Sequence, residues 1–171
     1  MNRAVFFDRD GILNKLIFRD KGYFSPQLFK QFDITTKAIF VIKELKQQGF
    51  LSIVVSNQPD ISRGKLSKLE LDKMTKELVK KTSVDDVFYC FHDDHDNCFC
   101  RKPKPGLLIS ASKKWNINLN ESFMVGDTWK DAEAAFNAKV KFFLLNKNYN
   151  SDYYSENRIN DLEEIIKLIK G

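Results

Sequence analysis

Short apolar runs alternate along the chain with longer segments in which apolar residues recur at helical spacing. The apolar runs cover residues 4–7, 51–55, 86–89, 123–125 and 142–145, and their length is typical of buried strands. Strands that alternate with helices in this way form βαβ units, whose strands pair in parallel. The pattern therefore predicts an α/β fold in which a mainly parallel central sheet of about five strands carries helices on both faces.

Helix signals fill the segments between the predicted strands. An apolar stripe repeats at helical spacing between residues 34 and 45, and Gly49 lies just past its end, where a helix commonly stops. The other helices are marked at their starts, either by a capping box or by a proline at the first position. These start signals are Ser67 with Glu70, Pro105, Thr128 with Asp131, and Asn160 with Glu163.

Polar residues follow each of the first four predicted strands. A parallel sheet binds its ligand beyond the carboxyl ends of its strands, so these residues are expected to meet in one active site. The four segments are Asp8-Arg9-Asp10, Ser56-Asn57-Gln58, Cys90-Phe91-His92 and Gly126-Asp127-Thr128.

Asp8 and Asp10 are one residue apart and precede Gly11, which marks the turn out of the first strand. Two carboxylates that close need a cation, a shared proton or solvent; taken alone, they fit solvated turn residues equally well. Asp127 offers a further carboxylate, and magnesium prefers one or two carboxylates together with water and phosphate. Asp131 fits two roles, contact with this metal or completion of a capping box with Thr128.

The composition is typical of one globular domain spanning residues 1–171. Charged residues make up 30% and hydrophobic residues 43%, and the formal net charge of +5 favours an anionic partner. A phosphorylated metabolite is favoured over nucleic acid, because the sequence has no block of basic residues and no basic stripe interleaved with aromatic residues. No apolar run reaches the length of a membrane span, and no signal-peptide pattern opens the chain, so a cytoplasmic location is expected.

Three cysteines and a histidine are clustered within eleven residues. Cys90, His92, Cys98 and Cys100 form a set that can complete a tetrahedral structural zinc site of the Cys₃His type. Buried thiols beside a solvated histidine are the alternative, and His95 fits the pairing less well than His92. A zinc ion here would fix the segment that carries Arg101 and Lys102, side chains suited to binding phosphate.

Two longer segments lack clear periodicity. Residues 14–32 are too many for a simple connection between a strand and a helix, so we expect a substrate-facing loop. Residues 146–158 are rich in Asn, Tyr and Ser, and we expect a surface connection to the last helix.

With these residues in order, the chain resembles the haloacid dehalogenase superfamily of phosphatases. The resemblance rests on Asp8-Arg9-Asp10-Gly11, Ser56, Lys102, and Gly126-Asp127 with Asp131. It is strongest to the small zinc-containing branch that includes heptose bisphosphate phosphatases and histidinol-phosphate phosphatases. The segments similar to that branch are Asp20-Lys21-Gly22-Tyr23, Ser56-Asn57-Gln58, Ile61-Ser62-Arg63-Gly64, the cysteine and histidine cluster, and Arg101-Lys102-Pro103.

The resemblance implies a Rossmann-like three-layer sandwich without a large cap domain, stabilised by a zinc loop. It implies that Asp8 is the nucleophile and Asp10 the general acid and base, with Ser56 and Lys102 stabilising the transferred phosphoryl group. Mg²⁺ would be bound by Asp8, the main-chain carbonyl of Asp10, and Asp127. Substrate contacts would come from Arg9, Asp20, Gly22, Tyr23, Asn57, Gln58, Arg63, Arg101 and Thr128.

The expected substrate is a sugar phosphate, D-glycero-D-manno-heptose 1,7-bisphosphate, hydrolysed by a monomeric enzyme. Histidinol phosphate is the near alternative, nucleic acid with a 3′-phosphate a more distant one, and a non-catalytic zinc-stabilised binding module a different class. Three departures from the family pattern bear on the substrate and leave the catalytic set intact. They are Ile12 after Asp-Gly, Pro59-Asp60 in the second loop, and Thr128 in place of a lysine.

Overall fold

A six-stranded parallel sheet forms the centre of the computed structural model, which describes residues 1–170. The strands are β1 (Arg3–Phe7), β2 (Ile17–Arg19), β3 (Gly22–Phe24), β4 (Phe50–Asn57), β5 (Asp86–Cys90), β6 (Phe123–Gly126), β7 (Lys141–Leu145) and β8 (Arg158–Ile159). The helices are α1 (Thr36–Gln47), α2 (Lys68–Thr82), α3 (Gly106–Trp115), α4 (Trp129–Asn137) and α5 (Ile165–Leu168). The strand order in the central sheet is β5-β4-β1-β6-β7-β8, and β2 pairs with β3 in a separate antiparallel hairpin.

Alternate residues of β1 face opposite layers of the core, as the geometry of a strand requires. Ala4 and Phe6 pack in one apolar cluster with α3 and α4. Val5 and Phe7 pack in the other cluster, with α1 and α5. Helices on both faces of a parallel sheet make the three-layer α/β sandwich predicted from the sequence, and the predicted fold class is confirmed.

The sheet has one strand more than the five predicted. The sixth, β8, contains only Arg158 and Ile159, which is too short for a period-2 pattern to reveal. The hairpin β2–β3 lies inside the segment 14–32, where a loop was expected. Among the helices of residues 1–170, none combines the length and the apolar character needed to cross a membrane.

The helix starts follow the predicted signals with some differences of detail. Ser67 caps α2 by accepting a hydrogen bond from the amide of Glu70. The Glu70 side chain accepts instead from the amide of Phe29 at 2.5 Å, so it does not complete the predicted capping box. Pro105 is the residue before α3 rather than its first residue. The last helical segment is capped by Asp161 with Glu164, one position after the predicted pair.

Candidate active site

The carboxyl ends of the central strands and the β2–β3 hairpin border a cavity of about 590 Å³. Its wall includes residues from the segments after β1, β4 and β6 and from the segment before α3, together with hairpin residues. Those used below are Asp8, Asp10, Lys21, Gly22, Tyr23, Ser56, Asn57, Arg101, Lys102, Asp127, Thr128, Lys130, Asp131 and Tyr149. The structure therefore brings together most of the side chains that the sequence placed at the strand ends.

The buried ammonium group of Lys102 bridges two carboxylates at the base of the cavity. Its Nζ donates to Asp8 Oδ1 at 2.7 Å, to Asp131 Oδ1 at 2.6 Å and to the carbonyl of Val55 at 2.9 Å. Burial alone would lower the pKa of Lys102, but the Asp131 and Asp8 carboxylates outweigh it and raise the pKa. Lys102 is thus a permanent cation whose three protons all have acceptors.

The side chain of Asn57 fixes the backbone of Lys102. Its Nδ2 donates to the carbonyl of Lys102 at 2.9 Å, and its Oδ1 accepts from the Lys102 amide at 3.0 Å. Asn57 borders the cavity, and each end of its amide makes one of these bonds. Asn57 therefore supports Lys102, and the substrate contact expected from the sequence stays a prediction.

Asp8, Asp127 and Asp131 each offer an oxygen within 4.8 Å of the others. Burial, the strongest influence, and the neighbouring carboxylates raise the pKa of Asp127 to about 8. Burial also raises the pKa of Asp8 to about 6, with Lys102 opposing the shift. Buried carboxylates whose ionised forms repel one another are stabilised by a divalent cation, and magnesium binds such oxygens. The donor set therefore fits Mg²⁺.

Asp131 uses both of its oxygens on protein groups. Oδ1 accepts from Lys102, and Oδ2 accepts from the amide and the hydroxyl of Thr128 at 3.1 and 2.6 Å. Asp131 therefore caps α4 and holds the lysine, which leaves Asp8 and Asp127 as the carboxylates available to a metal. The Thr128 hydroxyl, expected to face the substrate, donates to Asp131 although the residue borders the cavity.

The Asp10 carboxylate lies in a cage of buried donors. Arg9 Nη2 contacts its two oxygens at 2.9 and 3.0 Å, Asn14 Nδ2 contacts Oδ1 at 3.0 Å and Gln58 Nε2 contacts Oδ2 at 2.8 Å. Arg9 is 0% exposed and Gln58 2% exposed, and neither borders the 590 Å³ cavity. Both residues are therefore placed to orient Asp10, which does border the cavity, and the substrate contacts expected of them stay predictions.

Ser56 lies beside this cage at the end of β4. Its Oγ accepts from Gln58 Nε2 at 3.0 Å, and the residue is 1% exposed. A hydroxyl that accepts in this way still has its own proton to donate. Ser56 borders the cavity, so that proton is available to an anionic ligand.

The side chains of Cys90, His92, Cys98 and Cys100 converge on one point. The Sγ–Sγ distances are 3.6, 3.4 and 3.2 Å, and His92 Nδ1 lies 3.5 Å from Cys90 and 3.3 Å from Cys100. Zn–S bonds of about 2.3 Å in a tetrahedron place two sulfurs about 3.7 Å apart, so the set fits zinc. His95 is exposed and lies outside the set.

This cluster positions Arg101 directly. The Arg101 amide donates to Cys98 Sγ at 3.3 Å, and its Nη1 donates to the carbonyl of His92 at 3.0 Å. Its Nε donates to Asp94 at 2.9 Å. Arg101 is 8% exposed and borders the cavity, so the loop holds this guanidinium at the cavity wall.

Two of the expected substrate contacts lie away from the cavity wall. Asp20, with Lys21, forms the two-residue turn between β2 and β3, and both have positive φ, 49° and 60°. This is the backbone conformation that tight hairpins require. Arg63 pairs with Asp93 at 2.5 and 2.6 Å and borders a smaller, adjoining cavity that shares Tyr23, Ser25, Asn57 and Pro59 with the main one. Gly22 and Tyr23 do border the main cavity.

The segment 146–158 contributes to the site, which the sequence analysis did not predict. The Tyr149 hydroxyl donates to Asp127 Oδ2, and Asn150 Nδ2 donates to the carbonyls of Asp127 and Leu145 at 2.8 and 3.0 Å. The signal was available in the sequence, because these residues follow β7. The rule that ligands bind beyond the carboxyl ends of parallel strands covers β7 as well as the four earlier strands.

A Rossmann-like parallel sheet with a lysine-bridged acidic site at its carboxyl edge defines an α/β protein whose site is suited to phosphoryl transfer. The sequence profile of the haloacid dehalogenase-like hydrolases matches residues 22–145. The chain belongs to this family, and the resemblance stated from the sequence is confirmed.

Curated relatives extend the match to the first strand. D-glycero-beta-D-manno-heptose-1,7-bisphosphate 7-phosphatase of Helicobacter pylori is 37% identical over 99% of this chain and 98% of its own length. D-glycero-alpha-D-manno-heptose-1,7-bisphosphate 7-phosphatase of Photorhabdus laumondii is 32% identical over 98% of this chain and 97% of its own length. The solved D,D-heptose 1,7-bisphosphate phosphatase of B. bronchiseptica, complexed with magnesium and phosphate, aligns with a TM-score of 0.82 at 24% identity. That alignment covers 98% of this chain and 97% of that one.

The cysteine cluster generates a prediction about metal content. Cys98→Ser and His92→Ala should each remove the bound zinc, lower the melting temperature and reduce activity, because the loop then releases Arg101 and Lys102. His95→Ala is the matched control and should keep the zinc, since its side chain is 83% exposed. Elemental analysis checks this, and native protein without zinc would contradict it.

The raised pKa values of Asp8 and Asp127 predict a pH-dependent response to magnesium. In metal-free protein the folded-state pKa values, about 6 and about 8, lie above the unfolded value of 3.8. The folding stability that these groups contribute is therefore fully present below about pH 4. It is lost as the pH rises through their folded-state pKa values, about 6 for Asp8 and about 8 for Asp127.

Added Mg²⁺ should raise the melting temperature more at pH 8.5 than at pH 5, because bound metal replaces the protons. Thermal melts with and without Mg²⁺ measure this, and Asp127→Asn should show a smaller pH dependence. A magnesium response equal at both pH values would contradict the account.

Proposed function

We propose that the protein is a magnesium-dependent phosphomonoesterase that removes the 7-phosphate of D-glycero-D-manno-heptose 1,7-bisphosphate. The observation that carries the proposal is the arrangement of Asp8, Lys102 and Asp127 at the base of one cavity. The substrate is inferred from the curated relatives, which match this chain over nearly its whole length.

Asp8 is the nucleophile in this proposal. Its Oδ1 accepts from Lys102, which leaves Oδ2 to attack phosphorus. The bond between phosphorus and the sugar oxygen breaks, and the phosphoryl group is transferred to Asp8 as an aspartyl phosphate. Water then attacks this phosphorus and restores the carboxylate, so that inorganic phosphate leaves.

Asp10 handles the proton in both halves of the reaction. Asp10 enters the cycle protonated on Oδ2, donates that proton to the departing sugar oxygen and takes one back from the attacking water. Its place on the cavity wall and its fixed orientation by Arg9, Asn14 and Gln58 support this role. When the leaving sugar oxygen replaces Gln58 as the partner of Asp10 Oδ2, that oxygen takes part in the reaction.

Charge stabilisation comes from groups fixed before the substrate binds. The Ser56 hydroxyl would donate to a phosphoryl oxygen. Lys102 would place its positive charge beside the phosphoryl group while its protons stay on Asp8, Asp131 and Val55. Positioning and positive charge of this kind supply most of the rate. Magnesium bound by Asp8, the Asp10 carbonyl and Asp127 would neutralise charge on the phosphoryl oxygens and orient them.

The outer wall of the cavity suits a substrate with a second anionic group. Lys21, Arg101 and Lys130 border the cavity in addition to Lys102. A volume of about 590 Å³ lies within the usual range for small-molecule sites. The cavity can therefore hold a sugar carrying phosphate at both ends.

We also propose a structural metal, a cellular location and an oligomeric state for the protein. The Cys₃His cluster would hold structural zinc, whose thiolate ligands require the reducing conditions of a cytoplasm. We propose a monomer with a single domain over residues 1–171.

A panel of phosphorylated metabolites tests the function. With Mg²⁺, phosphate release should be fastest from one of the two heptose bisphosphate anomers, and histidinol phosphate and nucleic acid with a 3′-phosphate should be poor substrates. Chelation of Mg²⁺ should abolish release.

Asp8→Asn should lower turnover by about 10³-fold or more while the protein stays folded. Asp72→Asn, an exposed change on α2, is the matched control. Faster hydrolysis of histidinol phosphate would reassign the substrate, and no release from any phosphoester would favour a binding module.

A further inference from the structure

Tyr149 reaches the candidate magnesium site from outside the segments that carry the family motifs. Its hydroxyl donates to Asp127 Oδ2, and its side chain borders the cavity. A phenol is protonated at neutral pH, so Tyr149 acts as the hydrogen-bond donor.

Neighbouring groups fix Tyr149 in this place. Asn150, the next residue, donates to the carbonyls of Asp127 and Leu145, which ties the segment after β7 to the segment after β6. Gly11 has φ +88°, and a Cβ at this position would collide with the Asp127 carboxylate and the Tyr149 hydroxyl. The contact between Tyr149 and Asp127 thus depends on three separate parts of the chain.

The ring of Tyr149 also contacts the β2–β3 hairpin. It packs on Tyr23 with ring centroids 4.8 Å apart and an interplanar angle of 53°. Tyr23 packs in turn on Phe18, its partner across the hairpin, at 5.1 Å. In residues 1–170 the hairpin strands pair with each other and with no strand of the central sheet, so side-chain contacts of this kind determine where the hairpin lies.

We propose that Tyr149 is a positioning residue that orients Asp127 for the magnesium ion and links that carboxylate to the hairpin covering the substrate. The inference rests on the magnesium site of the proposed function and deepens it. The hydroxyl orients Asp127, and the ring links Asp127 to the hairpin.

The hydroxyl acts by holding one carboxylate oxygen. Because Oδ2 accepts from the phenol, Asp127 cannot rotate freely, and Oδ1 is the oxygen available to the metal. Groups that orient a metal ligand in this way typically account for about 10- to 100-fold in metal affinity.

The ring acts through the hairpin. Lys21, Gly22 and Tyr23 border the cavity, so a shift of the hairpin changes the contacts made to the substrate. Aromatic pairs at this separation stabilise a contact beyond the effect of burial alone. Because Tyr149 touches both the hairpin and Asp127, binding of metal and binding of substrate should favour one another.

The experiment compares Mg²⁺ binding to substrate-free protein by titration calorimetry, together with kcat and KM at saturating Mg²⁺. Tyr149→Phe removes the hydroxyl alone and should weaken Mg²⁺ binding by about 10- to 100-fold, with a smaller effect on KM. Tyr23→Leu keeps the hydroxyl contact and should raise KM more than it weakens Mg²⁺ binding. Tyr154→Phe is the matched control, because Tyr154 is 81% exposed, and it should behave as wild type.

Circular dichroism and melting temperature establish that each variant is folded. Equal Mg²⁺ affinity of wild type and Tyr149→Phe would overturn the positioning role and leave the proposed phosphatase intact. Wild-type protein that binds no Mg²⁺ would overturn this inference along with the metal site. Wild-type protein that binds Mg²⁺ but hydrolyses no phosphoester would refute the proposed function. In that case, weaker Mg²⁺ binding by Tyr149→Phe than by wild type would still support the role of Tyr149.

Discussion

A buried ammonium group holds the candidate site together. Lys102 is 2% exposed, and its charge faces Asp8 and Asp131 at 2.7 and 2.6 Å. Removal of one partner from such a buried pair typically costs about 3–5 kcal/mol, because the remaining charge is left without compensation. Because Lys102 contacts Oδ1 of Asp8, the second oxygen stays available for the proposed attack on phosphorus. Stability and function therefore depend on one interaction between segments 94 residues apart.

The surrounding structure delivers this lysine to its position. The cysteine cluster fixes Arg101 through the Cys98 sulfur, and the Asn57 amide fixes the backbone of Lys102 on both sides. Asp131 then receives the ammonium group while its other oxygen caps α4. A loop, a strand end and a helix start thus converge on one side chain, which explains why the polar residues after the strands are buried and already oriented.

Much of this arrangement could be predicted from the sequence, because strand ends in a parallel sheet meet at one edge. That rule alone brought Asp8, Ser56 and Asp127 together. It could not tell which polar residues face the cavity and which support its wall. Arg9 pairs inward with Asp10 and lies near the rings of Phe32 and Tyr89, a contact that depends on distant parts of the chain. The two-residue strand β8 is too short for a periodic pattern to reveal, whereas Tyr149 follows the fifth predicted strand and was open to the same rule.

We propose that Lys102 holds Asp8 ready to accept the phosphoryl group. Borohydride reduces an acyl phosphate and leaves a free carboxylate unchanged, so a quench during turnover marks the residue that carries phosphate. Mass spectrometry of the peptides containing residues 8, 10 and 127 then locates the modification. The account predicts reduction at Asp8 in the presence of Mg²⁺ and substrate. No modification, or modification at Asp10 or Asp127 instead, would contradict it.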